Sequence, residues 1–157
     1  MSADLELQKG LRARLTTWAA LGVRPNRIID THVALADLFP AGPLPVNYGS
    51  TDVSRAPEQP AIILGDSQAV DAGTSLRRAH TRIYHSLHVW KKEISLEGVK
   101  TIAGELRRAV HAGRLVLAAP YHCADARVSS MRFLRDPNGE FAHGVVVVEA
   151  LVCEVLS

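Results

Sequence analysis

The sequence has few of the residues on which several protein classes depend. Only two of its 157 residues are cysteines, and 5% are aromatic. Two cysteines are too few for a small disulfide-stabilised scaffold. Cys123 and Cys153 lie in or beside apolar segments that predict strands, so buried, reduced thiols are the expected state.

The sequence also has no large excess of charge of one sign and no long apolar run. The formal net charge is +2, from 18 basic and 16 acidic residues, which gives no electrostatic basis for a dedicated nucleic-acid binder or an anionic-membrane protein. No apolar run is long enough to span a bilayer, and Asp4 and Glu6 stand where a secretory leader would be basic. We therefore expect a soluble protein made in a cytoplasm, with no membrane partner.

The common catalytic signatures are absent. There is no glycine-rich phosphate loop, no G-x-S-x-G motif and no H-E-x-x-H motif, so no cofactor is predicted. Three basic doublets, at residues 77–78, 91–92 and 107–108, lack the interleaved aromatic residues of a single-strand binder. They are expected to be solvated or to lie at the rim of an interface.

Two groups of residues suggest a chemical role. His80, His85 and His88 could form a metal-binding module, but side chains of a strand alternate between its faces, so His85 and His88 point apart. His122 and Cys123 could serve a small thiol hydrolase, yet neighbouring residues of an extended chain also face apart. The residues alone therefore favour a role in contacts with other proteins over an enzymatic role, and no catalytic or metal-binding residue is assigned.

Two segments have the periodicity of amphipathic helices. The first is predicted from Asp4 to Ala20, with Ser2 or Asp4 capping its first turn and Gly22 following its end. The second is predicted between Ser95, as its N-cap, and Gly113. The apolar positions expected to face the core are Leu7, Leu11, Leu15 and Trp18 in the first helix, and Val99, Ile102, Ala103, Leu106 and Val110 in the second.

The remaining apolar segments predict strands. These are an edge strand at Arg27–Asp30, a buried strand at Ala61–Gly65, a long strand at Arg77–Trp90 and a short strand at Leu115–Ala118. Residues 66–76 are polar and predict a loop. In the long strand, the face with Ile83, His85, Leu87 and Val89 is expected to meet the core.

Prolines interrupt the segment from Asp30 to Pro60, so it predicts a long loop with one short helical turn at Ala34–Phe39. A connection of this length within a compact domain is usually functional or lies against a partner. The sequence leaves open whether this loop is a partner-contacting arm or a solvated insertion. Nothing divides the chain into two domains, so residues 1–157 are expected to form a single one.

The C-terminal segment from Ala126 to Val155 predicts a long β-hairpin. Its turn is Asp136-Pro137-Asn138-Gly139, in which proline and glycine have the backbone preferences that a tight turn requires. The outgoing run, residues 143–153, is almost continuously apolar, as in strands covered on both faces. It is therefore expected to be central or interfacial, and the chain as a whole is predicted to be α+β.

The ordered set of these segments resembles the tail-completion or tail-terminator proteins of long-tailed bacteriophages and gene transfer agents. The resemblance rests on the Leu7, Leu11 and Leu15 helix, the proline-led strand at residues 60–65 and the strand ending at residues 88–90. It continues through the helix start at residues 98–103 and the hairpin at residues 133–144. The segment from Asp30 to Pro60 is longer than in that family.

This resemblance implies a fold and a structural role in the virion. The fold is a mixed, largely antiparallel sheet with two main helices packed on one face. The subunit would form a homo-oligomeric ring of six on the head-proximal end of the tail tube. The ring stops tube polymerisation and provides the surface for head–tail joining, and it is assembled in the host bacterial cytoplasm.

The partners implied are other copies of the chain, the tail tube protein and a head–tail connector or neck protein, while DNA passes through the lumen without sequence-specific binding. The alternative within assembly proteins is a neck or head-closure connector subunit. The candidate assembly contacts are Arg132, Arg135, Asp136 and Asn138 at the hairpin, and Phe39, Leu44 and Tyr48 in the long loop.

Overall fold

The fold is built on one five-stranded sheet, and the structure, a computed structural model, describes residues 2–31, 33, 35–39, 60–137 and 139–155. The helices are α1 (Ala3–Thr16), α2 (Leu35–Leu38) and α3 (Glu97–His111). The strands are β1 (Ile28–Ile29), β2 (Ala61–Asp71), β3 (His80–Lys91), β4 (Tyr121–Arg135) and β5 (Ala142–Glu154).

The strands lie in the order β1-β2-β3-β5-β4. β1 runs parallel to β2, and every other neighbouring pair is antiparallel. The longest uninterrupted pairing joins β3 to β5, from His80 opposite Cys153 to Lys91 opposite Ala142. The prediction of a mixed, largely antiparallel sheet in an α+β chain is confirmed.

The main core lies between this sheet and the two long helices, which pack on the same face. Ser2 caps α1 by accepting the amide of Leu5 at 3.2 Å, as predicted. The helix residues expected to face the core are buried, except that Trp18 is only partly covered. The predicted core face of β3 is buried as well and includes His85. Two main helices on one face of the sheet are therefore confirmed.

Both helix boundaries differ from the prediction. α1 ends at Thr16, and a 3₁₀ turn at Ala19–Leu21 follows it, because the hydroxyls of Thr16 and Thr17 bond to preceding carbonyls and compete with a continued helix. α3 has Leu96 at its N-cap position. Ser95 lies one residue earlier, although its hydroxyl still accepts the amide of Glu97 at 3.0 Å.

Two strand predictions were wrong. β2 continues through Asp71, where residues 66–76 had predicted a loop, because β3 supplies a hydrogen-bonding partner along almost all of its length. Strand formation here follows from pairing and not from apolar content. Residues 115–118 form no strand, although Leu115 is buried.

The C-terminal hairpin is longer than predicted, because β4 already begins at Tyr121. In its turn, Gly139 has a φ of 70° and donates its amide to the Asp136 carbonyl at 2.8 Å. β5 lies between β3 and β4, so its predicted interior position is confirmed. Val145, Val147 and Leu151 are only partly buried, so cover on both faces of β5 is not observed within the described residues.

The two mid-helix glycines predict opposite effects of an added methyl group. A Cβ on Gly10 in α1 would lie 2.7 Å from Leu117 Cδ2 and 3.2 Å from the Val116 carbonyl, whereas at Gly104 in α3 nothing lies within 4 Å. Alanine favours a helix interior over glycine by about 0.5–1 kcal/mol. We expect Gly104→Ala to stabilise by about that amount and Gly10→Ala to destabilise by about 1–3 kcal/mol, as measured by urea unfolding. Equal stabilisation by both would contradict this packing.

Candidate assembly surface

The face of the sheet opposite α1 and α3, which we call the outer face, is only partly covered by the described residues. Strand pairing places the alternate residues of neighbouring strands together on it. Its members on the three inner strands are Ala61, Ile63, Gln68 and Val70 of β2, Arg82, Tyr84, Ser86, His88 and Trp90 of β3, and His143, Val145, Val147, Glu149 and Leu151 of β5. The middle of this face carries partly exposed apolar side chains that no described helix covers.

A second, smaller apolar cluster covers one end of the outer face. Leu38, Phe39 and Ala61 are buried there, and Phe39 is only 3% exposed. The Phe39 ring lies 5.3 Å from the ring of Phe141 and 5.3 Å from the guanidinium of Arg27. Phe39 therefore packs within its own chain, while the other predicted contacts of this loop, Leu44 and Tyr48, lie outside the described residues.

Next to that cluster, three aromatic rings stack across β3 and β5. His143 lies parallel to Trp90, with 3.8 Å between ring centroids, and its Nε2 is 2.9 Å from Nδ1 of His88. Burial, then His88 and Arg132, lower the pKa of His143 from 6.5 to about 4. Burial also lowers the pKa of His88, although Asp66 opposes that shift. Both imidazoles are therefore neutral at pH 7, and one donates its N–H to the other.

At the other end of the outer face, the carboxylate of Glu149 forms ion pairs with two arginines, and we call this group the Glu149 cluster. Glu149 Oε1 is 2.5 Å from Arg82, and its Oε2 is 2.9 Å from Arg127. Burial opposes ionisation of Glu149, but the hydrogen bonds and charges of the two arginines outweigh it and lower its pKa. The cluster joins β3, β5 and β4 and leaves one positive charge in excess.

The hairpin residues predicted as contacts lie where the sheet ends. Arg132 and Arg135 are exposed on β4, Asp136 is partly buried, and Asn138 lies outside the described residues. Two large apolar side chains of β4 are exposed beside the arginines, Met131 at 40% and Leu134 at 37%. This part of β4 therefore combines positive charge with apolar surface.

The residues considered for chemistry do not converge. His80 bonds to Thr74 at 2.8 Å, His85 lies in the core near Gln8, and His88 is on the outer face. Burial raises the pKa of the Cys123 thiol, which disfavours a reactive thiolate, and the neighbouring His122 is exposed. Among the described residues, no group of three or more His, Cys, Asp or Glu side chains could hold a metal ion.

Sequence reasoning missed the stacked rings and the Glu149 cluster. His88 and His143 are 55 positions apart, so only the register between β3 and β5 brings them together. Glu149 did leave a signal, because it is a lone charge within the apolar run from Val145 to Val152, and a charge in such a run requires a partner.

This architecture is that of a small α+β subunit whose two long helices cover one face of its sheet. Among the described residues, the middle of the other face is only partly covered and no catalytic groups converge. Residues 29–153 match the family Tail completion protein gp17, and the chain belongs to that family. The chain is thus a structural component of a virion tail.

A solved structure shares the fold. A chain in the virion of a native gene transfer agent particle superposes with a TM-score of 0.68 at 15% sequence identity, covering 97% of this chain and 98% of that one. A search of curated proteins finds no match. Within the described ranges, none of the helices has the length and apolar character to cross a membrane.

The stacked rings predict loss of stability in mild acid. The pKa of His143 is about 4 in the folded chain and 6.5 as its ordinary value. Between these values the unfolded chain binds more protons, so stability is full above pH 6.5 and falls as the pH approaches 4. We expect a loss on the order of 1–3 kcal/mol from this group. His143→Phe keeps an aromatic ring against Trp90 and should flatten the curve of unfolding free energy against pH; an unchanged slope would contradict the assignment.

The Glu149 cluster predicts that the free energy of unfolding also depends on pH in a second, more acidic range. Since the pKa of Glu149 is lowered in the folded chain, its contribution is present above the ordinary value of 4.5 and is lost as the pH falls through the folded pKa. Glu149→Gln should lower the free energy of unfolding by about 1–3 kcal/mol at pH 7, as measured by urea unfolding. The loss should be smaller below pH 4. The exposed Glu140→Gln is the control. Equal effects of the two substitutions at pH 7 would contradict the role of the cluster.

Proposed function

We propose that this protein is the tail terminator: a non-enzymatic subunit that forms a ring of about six copies on the head-proximal end of the tail tube. The ring stops tube polymerisation and presents the surface to which the head joins. The observation that carries the proposal is the family match over residues 29–153.

The surfaces of the subunit support an assembly role. Its outer face carries Val145, Val147 and Leu151, which the described residues cover only in part. β4 adds exposed Met131 and Leu134 beside two arginines. A ring requires different patches of one subunit to meet across each interface, and closure of the ring limits its growth. A subunit with open surface on several sides is suited to that geometry.

The partners we propose are neighbouring copies of the chain, the tail tube protein on one side and a connector or neck protein on the other. Arg132, Arg135, Asp136 and Asn138 at the hairpin, with Leu44 and Tyr48 of the loop, are the proposed contact residues. Phe39 packs against Phe141 and Arg27 of its own chain and is not proposed as a contact. A net charge of +2 suits a ring that packs without strong self-repulsion while DNA passes through it. Assembly would take place in the host bacterial cytoplasm, before the subunit enters the virion.

Deletion of the gene tests the proposal, and negative-stain images of the particles provide the measurement. A terminator predicts tails of abnormal and variable excess length, because nothing stops tube growth, and heads that remain unjoined. Tails of normal length beside leaking or unattached heads would instead assign the protein to head closure. Normal, infectious particles would contradict both assignments.

A further inference from the structure

The two edges of the sheet carry backbone groups that no described strand of the subunit pairs. β4 forms one edge along its whole length. At the other edge, β1 pairs with β2 only at Ile62 and Ile63, so within the described residues no strand lies beside residues 64–71 of β2. An unpaired strand edge is a template for another strand.

Hydrogen-bond alternation identifies the free groups on β4. The amide of Val128 points away from β5 and donates to His111 Nε2 at 3.0 Å, so α3 closes the middle of this edge. After the bulge at Ser129, antiparallel pairing places the backbone groups of Met131, Phe133 and Arg135 on the open side. Residues 129–135 therefore form a free edge.

Hydrogen-bond alternation also identifies the free groups on β2. The amide of Ala72 bonds to the His80 carbonyl at 3.0 Å, which continues the pairing with β3. Alternation then directs the backbone groups of Val70 and Gln68 toward β3, and those of Ala69 and Ser67 outward. The free part of β2 thus offers its own outward donors and acceptors.

The two free edges are complementary in charge and direction. Residues 64–71 contain no basic residue but have Asp66, together with Asp71, which forms an exposed ion pair with Arg78 at 3.5 Å. Residues 129–135 contain Arg132 and Arg135 and no acidic residue. β2 and β4 also run antiparallel to each other, since each neighbouring pair from β2 to β4 is antiparallel. Rotation of copies about an axis along the strands would therefore bring β4 of one copy beside β2 of the next in antiparallel orientation.

We infer that copies of this chain join by strand addition, in which β4 beyond Val128 pairs with residues 64–71 of β2 in the next copy. This inference rests on the proposed ring and specifies its interface. Pairing of two β4 edges would bring two arginines of each copy together with no acidic residue between them, and like charges on facing strands destabilise a sheet. When joined sheets close into a ring, their strands are tilted and their register is staggered. The two free edges therefore need not lie at the same height along the strand direction within one subunit.

Proline substitutions on the open side of each edge test the inference. Met131→Pro and Ala69→Pro each remove an outward amide and leave the internal pairing of the sheet intact, which edge strands tolerate. Met131→Thr and Ala69→Ser keep the amide and are the matched controls. Circular dichroism and thermal unfolding establish that each variant is folded, and sedimentation measures its assembly.

We expect each proline variant to lose the ring and sediment as the 17.0 kDa subunit, while both controls form rings. In a mixture of the two proline variants, one partner retains an intact β2 edge and the other an intact β4 edge. The mixture should therefore form a heterodimer that grows no further, which also shows that both variants fold.

Other results separate this inference from the proposed function. Rings formed by both proline variants would overturn strand addition and leave the ring itself standing. Loss of assembly with Met131→Pro alone would indicate that β4 pairs with β4, and would overturn the role of β2. A wild-type chain that never forms a ring, in solution or on tails, would overturn the proposed function, and with it the interface.

Discussion

The structure depends on the antiparallel pairing of β3 with β5. These two strands are in register from His80 opposite Cys153 to Lys91 opposite Ala142, and they form the centre of the sheet. Their buried faces, including Ile83, Leu87, Val146 and Val148, provide the surface on which α1 and α3 pack. Because both long helices use that one face, the described residues leave the middle of the other face and parts of the two edges open to other contacts.

The outer face carries two clusters of side chains that link neighbouring strands. The stacked rings connect β3 to β5, and the Glu149 cluster connects β3, β5 and β4. A sheet with one open face lacks packing that would hold its strands in register, and cross-strand pairs supply part of that constraint. The apolar positions between the clusters remain accessible, so the face is fixed in shape and still able to accept a partner.

Much of this fold could be predicted because the relevant signals are local. The turn at Asp136-Pro137 and Gly139, the helix stripes and the alternation in β3 each follow from residues close together in the sequence. The end of β2 could not be predicted this way, since residues 66–71 are polar and become a strand only through β3. Residues 115–118 show the converse, because apolar content without a partner strand gave no strand.

The candidate surface was predictable only in part, for the same reason. The exposed arginines of the hairpin were found from their place beside the turn. Phe39 was predicted as a contact, but its ring is buried at the end of the sheet and packs against Phe141. The His88–His143 contact and the free edge of β2 exist only once strand order and register are known.

Hydrogen exchange of single amides, compared between the free subunit and the assembled tail, tests most directly whether the open edges and face serve assembly. The account predicts that the amides of Met131, Phe133 and Ala69 exchange rapidly in the free subunit and become protected in the assembly. Those of Arg132 and Leu134, already bonded to β5, should be protected in both states. Equal, rapid exchange of the outward amides in free and assembled protein would contradict the account.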